Sequence, residues 1–197
     1  VYRLQKNADN IIKSIYDDLK KEKYVVGKYN VFVIYEPKKR TIVSQGMKDK
    51  IINHLIAREI LYPAIFPCLL PFNVASRPQM GTKKALEYLE KYRTMYGKDG
   101  QKYYMLKCDI SKFFLSIDHQ ILKKKLRRRL KDPKALKILS DIINSYQTGI
   151  GIGSMTSQVL AIFYLNDLDH YIKEELKITG YIRYQDDFLL FSKSKEY

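Results

Sequence analysis

The chain has 197 residues, 46% hydrophobic and 29% charged, enough to bury a real core and unlike a disordered or collagen-like composition. Thirty-six Lys and Arg against twenty-one Asp and Glu leave a formal charge of +15, so a polyanion is the first partner to test, nucleic acid ahead of anionic membrane. The chain is also rich in Ile, Tyr and Asn, as chains from AT-rich genomes are, and part of the Lys surplus follows from that alternative. Cys68 and Cys108 lie far apart, outside any CxxC or Cys/His cluster, which argues against a zinc site or disulfide framework and fits a reducing compartment. The longest apolar stretch, 60–74, is cut by Pro63, Pro67 and Pro71 and is too short to cross a bilayer. With no signal-peptide pattern at the start, a cytoplasmic protein without a membrane partner is expected. The chain begins without Met and ends inside a Lys/Ser/Glu segment, in keeping with a piece of something longer.

In chain order, residues 9–23 place Ile11, Ile12, Ile15 and Leu19 on one helical face. Val31 to Arg40 alternates and turns at Glu36-Pro37-Lys38-Lys39 into Thr41-Ile42-Val43, a basic-tipped β-hairpin. Lys48 to Tyr62 reads as a helix with Ile51, Ile52, Leu55 and Ile60 inward, and Thr82 as the cap of another, reaching about Tyr92. Gln101 to Asp109 reads as a strand ending in an acid. Asp118 and Asp132-Pro133 start the next two helices, the second with Pro at the first helical position, where its missing N–H costs nothing. After the glycine-punctuated run 149–154, a long helix is expected to about Leu176, and Thr179-Gly180 turns into the apolar segment 181–191. Many helices with few, antiparallel strands give an α+β class.

Two adjacent carboxylates, Asp186 and Asp187, interrupt a run of strand formers. By itself this reads equally as a solvent-exposed turn or as a hairpin tip that carries chemistry. Asp109 changes the balance. If its strand lies beside the 181–191 hairpin, three carboxylates meet at one sheet edge and ask for cations. Oxygen-only ligands suit Mg²⁺ or Mn²⁺, and two such ions about 3.5–4 Å apart serve an in-line phosphoryl displacement. With the positive surplus, that describes nucleotidyl transfer.

These residues also carry a family resemblance. Tyr184-Gln185-Asp186-Asp187 resembles the YxDD signature of reverse transcriptases, and Leu106 to Phe114 with Ile117-Asp118-His119 their first catalytic-aspartate motif. Gly149 to Gln158 and the helix after it resemble the family's glycine-containing substrate motif, and Ala75-Ser76-Arg77-Pro78 with Gly81-Thr82 the arginine-proline motif of bacterial retroelement enzymes. The four motifs stand in the family's order between about 29 and 191.

The resemblance implies a right-hand polymerase with fingers at 1–100 and palm at 101–197, part of the fingers interleaved at about 118–150. The family's thumb follows the palm and is expected to be absent from these residues. It implies RNA-templated DNA synthesis from dNTP onto a DNA primer. Asp109, Asp186, Asp187 and the carbonyl of Ile110 would hold two metal ions, Mg²⁺ or Mn²⁺. Phe114 would gate against the ribose 2′-OH, with Phe113 beside it; the alternative is that both are core aromatics. Lys38 and Arg40 resemble the fingers residues that clamp a triphosphate, against a merely solvated hairpin tip. Ile152, Gly153 and Gln158 would line the dNTP site, and Tyr184 and Arg77 would meet nucleic acid. Backbone N–H groups around Gly151 and Gly153 would approach the nucleotide closely.

Where most family members have Gln-Gly followed by Ser-Pro, this chain has Ile152-Gly153 and Ser157-Gln158. That variant resembles diversity-generating retroelement enzymes and implies error-prone copying and a small basic accessory protein as partner. Group II intron and retron enzymes, or a non-catalytic RNA-binding module on the same scaffold, are the alternatives. The run Lys123-Lys124-Lys125-Leu126-Arg127-Arg128-Arg129 buries its leucines at helical spacing and is expected to fan its cations to solvent, either to track phosphates or as a plain solvated face.

Overall fold

The computed structural model describes residues 2–36 and 40–196. Helix α1 (Tyr2–Lys20) begins earlier than the apolar spacing suggests, and only part of its stripe is inward: Ile15 is buried while Ile12 is exposed. Strands β1 (Asn30–Ile34) and β2 (Arg40–Ser44) form the expected hairpin, paired antiparallel from Asn30–Ser44 to Ile34–Arg40. Helix α2 (Met47–Ile56) runs through a π-helical turn at Ala57–Leu61 into α3 (Tyr62–Ile65). Leu55, expected inward, is exposed because Ile52 and Ile56 of α2 face the core; past the π turn, which shifts the helical phase, Leu61 and Ile65 are fully buried. Helix α4 (Thr82–Tyr96) starts after Gly81, and the Thr82 side chain makes no capping bond.

Strand β3 (Tyr104–Cys108) leads into the single-turn α5 (Phe113–Ser116), then α6 (His119–Arg129) and α7 (Pro133–Asn144). The expected caps are present. Asp118 accepts from the Ile121 N–H at 2.8 Å, and Asp132 from the Lys134 N–H at 2.8 Å, each satisfying an orphan donor of the first turn. The long helix after residue 154 is broken at Leu165 into α8 (Met155–Tyr164) and α9 (Asn166–His170), which ends in a π-helical turn at Tyr171–Glu175. Strands β4 (Gly180–Tyr184) and β5 (Asp187–Ser192) close the described chain.

The main core joins α2, α3, α6, α7 and α8 through Ile52, Leu61, Ile65, Leu122, Leu139, Ile143 and Leu160. The three-stranded sheet, order β3-β5-β4, is antiparallel; β4 is buried on both faces, whereas β3 at the other edge is largely exposed. Side chains alternate along β4, so Ile182 joins Phe191, Tyr92, Tyr96 and Val74 under α4, while Tyr181 and Arg183 point the other way, toward α9. Beyond β4, Asn73 adds a parallel bridge to Arg183, with the Val74 N–H donating to the Arg183 carbonyl at 3.0 Å. No helix is long and apolar enough to cross a membrane among the described residues.

Candidate active site

The pairing of β3 with β5 runs to Cys108 opposite Phe188, so Asp109 leaves the sheet beside Asp187, and Asp186 stands in the adjoining turn. That turn is two residues, Gln185-Asp186, with Asp187 already in β5 and φ of 56° at Gln185. One carboxylate oxygen from each of Asp109, Asp186 and Asp187 lies within 4.8 Å of the others, at partly exposed positions. Three anionic groups so close repel one another. The Lys107 ammonium, 3.8 Å from Asp187 Oδ1 and on the same face of the sheet, offsets part of that charge. The donor set is all oxygen, open to solvent, and fits a hard divalent cation that keeps waters in its shell.

Beneath the turn is a buried ion pair that the sequence reading missed. Arg183 and Asp169 are both fully buried: Nε donates to Asp169 Oδ1 at 2.6 Å and Nη2 to Oδ2 at 2.5 Å. The remaining guanidinium donors reach the Ile162 carbonyl at 3.0 Å and the Gln185 carbonyl at 2.8 Å. Tyr181 donates its hydroxyl to Asp169 Oδ1, the oxygen that also accepts from Arg183 Nε, at 2.6 Å. Burial, and then the Asp169 charge, push the Tyr181 phenol well above its usual range. The carbonyl of the catalytic-turn candidate Gln185 is thus fastened to α9 through a dry, bidentate pair. An Arg in a strand-forming run was the one available signal.

Around the carboxylates, Phe113 is buried in the main core and Phe114 half-buried edge-on to it, centroids 5.6 Å apart. Ile110 is half-buried between them and Asp109. Ile152 and Gly153 are exposed at the entrance to α8, and Gln158 is exposed on it, its Oε1 accepting from Ser76 Oγ at 3.1 Å. Gly149 and Gly151 answer to internal packing. A Cβ on Gly149 (φ 59°) would meet the Phe114 carbonyl at 2.1 Å, and one on Gly151 the Tyr146 ring at 2.3 Å. Gly153 (φ 117°), expected with Gly151 to approach a nucleotide, has open space where a Cβ would stand, its nearest neighbour the Val43 carbonyl at 4.0 Å.

Tyr184 is exposed in β4 opposite Asp187. Arg77 is turned inward: it donates to the Leu70 and Asn73 carbonyls at 2.8 and 3.0 Å and lies over the Phe66 ring, where burial lowers its pKa. Lys38 lies outside the described residues, and Arg40 opens β2 opposite Ile34. The basic run does not fan out whole. Lys125 is 7% exposed, its ammonium held by the Tyr164 carbonyl and Asp167 at 2.9 Å each, and Lys123 reaches Asn144 at 2.5 Å. Lys125 lies on the same buried side as Leu122 and Leu126, which is why it leaves the cationic face. Lys124, Arg127, Arg128 and Arg129 remain exposed.

Residues 20–197 match the family model described as reverse transcriptase (RNA-dependent DNA polymerase). Protein YkfC of Escherichia coli (strain K12) is 23% identical over 183 residues, covering 87% of this chain and 45% of that protein. The fold resembles telomerase from Candida albicans, solved with a TWJ fragment of telomeric RNA, at a TM-score of 0.62 and 12% identity, covering 90% of this chain and 39% of that one. It also resembles apo telomerase from Candida tropicalis, truncated from its C-terminal domain, at 0.61 and 12%, covering 93% and 48%. The chain thus spans under half the length of these relatives.

Proposed function

From a chain that belongs to the reverse transcriptase family, we propose an enzyme that copies RNA into DNA: a primer 3′-hydroxyl attacks the α-phosphate of a dNTP and pyrophosphate leaves. The observation that carries this is the convergence of Asp109, Asp186 and Asp187 at the end of β3 and the β4–β5 turn, a turn linked to Gln158 of α8 through Ser76. Those carboxylates, with the Ile110 carbonyl, would hold two Mg²⁺ or Mn²⁺ ions. Bound there, such ions supply charge neutralisation at the attacking and leaving oxygens. The chain's own part is positioning: β3 and β5 set the spacing of Asp109 and Asp187, and Arg183 fixes the turn between β4 and β5. Phe114, half-buried at the rim, is suited to select against a 2′-OH, with Phe113 as its backing.

Lys38 and Arg40 at the fingers hairpin would take the triphosphate, and Ile152, Gly153 and Gln158 the nascent base pair. Lys123, Lys124, Arg127, Arg128 and Tyr184 would follow template and primer phosphates, Lys123 after giving up its contact to Asn144, while Arg77 keeps its bonds to Leu70 and Asn73 and would shape the path of the nucleic acid from within. The apolar, 40% exposed Ile152 favours the error-prone, diversity-generating type over group II intron and retron enzymes, since an alkyl group cannot hydrogen-bond a base pair into register. A small basic accessory protein and a cytoplasmic location belong to the same reading.

Primer extension on an RNA template by the full-length protein, with Mg²⁺ or Mn²⁺, tests it. Templated incorporation should fall by about 10³-fold or more in the D186A/D187A variant, and sequenced products should carry frequent misincorporations. Faithful products would favour the group II or retron type. RNA binding without incorporation would favour a non-catalytic module.

A further inference from the structure

Ser76 stands between two motifs that are far from it in sequence. Its Oγ donates to Gln158 Oε1 at 3.1 Å and accepts from Gln185 Nε2 at 2.6 Å. Gln158 lies in the first turns of α8, and Gln185 is the residue immediately before Asp186 and Asp187. The hydroxyl is delivered there at some conformational cost. Ser76 has φ of 52°, a region disfavoured for any residue with a Cβ. Such strain persists only where the surroundings over-determine it.

Here they do. Asn73 is bridged to Arg183, Val74 and Ala75 are fully buried, and the Arg77 guanidinium ties the segment back to Leu70 and Asn73. The segment is therefore rigid relative to β4, and Ser76 cannot drift from the turn. On the turn side, Gln185 Oε1 is buried with no hydrogen-bond partner among the described residues, so the contact to Ser76 orients that amide. Gln185 also has positive φ, at 56°.

We infer that Ser76 is a positioning residue that couples the nucleotide side of the site to its carboxylates. Through one hydroxyl, the place of Gln158 on α8 and the place of the Gln185-Asp186 turn depend on each other. A nucleotide that displaces Gln158 breaks or tightens the bond that seats the turn, so alignment of Asp186 and Asp187 responds to what occupies the substrate pocket. The inference rests on the polymerase reading above and adds to it a coupling between two of its motifs.

The test is a double-mutant cycle in the full-length protein, with steady-state dNTP incorporation and equilibrium dNTP binding to the primer–template complex as readouts. Ser76→Gly is the informative change, because glycine accepts φ of 52° and loses only the hydroxyl side chain. Ser76→Gly and Gln158→Ala should each lower kcat/KM for dNTP about 3- to 10-fold, the size of one or two hydrogen bonds. The double variant should fall no further than the worse single, with dNTP binding showing the same non-additivity and the thermal unfolding midpoint unchanged. Single effects that multiply, or a Ser76→Gly enzyme equal to wild type, overturn the inference and leave the polymerase reading standing. A wild-type protein that extends no primer with either metal overturns both.

Discussion

Two hairpins of similar size sit at opposite ends of this molecule's packing. In β1–β2 every residue of the first strand is exposed, including Val31, Phe32, Val33 and Ile34. In β4–β5, residues 180–183 are all buried, α4 lies on one face, and the Arg183–Asp169 pair lies on the other. A two-stranded ribbon is marginal in water without a packed face, and β1–β2 has only a thin one: residues 42–44 of β2 are half-buried and Val43 packs against the main core. The contrast shows where this fold spends its packing: under the turn that presents carboxylates.

Breaking the Arg183–Asp169 pair should have the largest effect. Arg183→Met leaves Asp169 buried and uncompensated, and should cost about 3–5 kcal/mol in urea unfolding. Adding Asp169→Leu should return most of that stability, since an apolar pair of similar volume packs well. Incorporation should nevertheless stay impaired, because the bond to the Gln185 carbonyl is gone. Recovery of full activity in the double variant would show that packing alone seats the turn.

Alkali should destabilise both sides of the molecule, because burial raises the phenols of Tyr24 and Tyr146 in the helical part as well as those of Tyr92 and Tyr181 around β4. Burial pushes the Tyr92 phenol up to about 12, and Tyr181 is raised further by burial and Asp169. A pKa raised in the folded state means the native protein holds protons that the unfolded chain releases. Stability from these groups is complete below pH 10, declines above it, and for Tyr92 is lost by about pH 12. The chain has no Trp and 17 Tyr, so ultraviolet absorbance reports tyrosinate directly. A late step in that absorbance should coincide with loss of helical circular dichroism; ionisation of all tyrosines before unfolding would contradict the burial.

The smallest effect belongs to the other hairpin. Phe32→Ser, at a side chain 48% exposed, should change unfolding free energy by no more than about 0.5 kcal/mol. A much larger loss would mean that this face is covered in solution, and the contrast between the hairpins would shrink.

The sequence made the carboxylates readable because Asp is out of place among strand formers, so Asp186 and Asp187 announced themselves and Asp109 closed the set. Asp118 and Asp132 were readable for a local reason, since caps act within three residues. What stayed hidden was set by distance along the chain or by a change of helical phase. Nothing local says which of 21 acids Arg183 would meet, or that Ser76 would touch residues 82 and 109 positions away. Lys125 was hidden by its charge: a cation at helical spacing with leucines reads as surface until Tyr164 and Asp167 are known to wait for it. The break at Leu165 has neither Gly nor Pro beside it to mark it, whereas the π turn at Ala57–Leu61 lies just ahead of Pro63, whose missing N–H and ring disturb the preceding turn.

The clip between Asn73 and Arg183 also fixes a timetable. Residues more than a hundred positions apart must meet before β4 is seated, and Asp109 waits for partners nearly eighty residues downstream. At about 5–20 residues per second of synthesis, that is a wait of several seconds, and such long-range closure is the slow kind of folding step. Every segment of the helical core around α2, α6 and α7 has been synthesised by then. The three mutually repelling acids can therefore be gathered only after every helix of that scaffold has been made, and the site closes on nearly the last strands the described chain supplies.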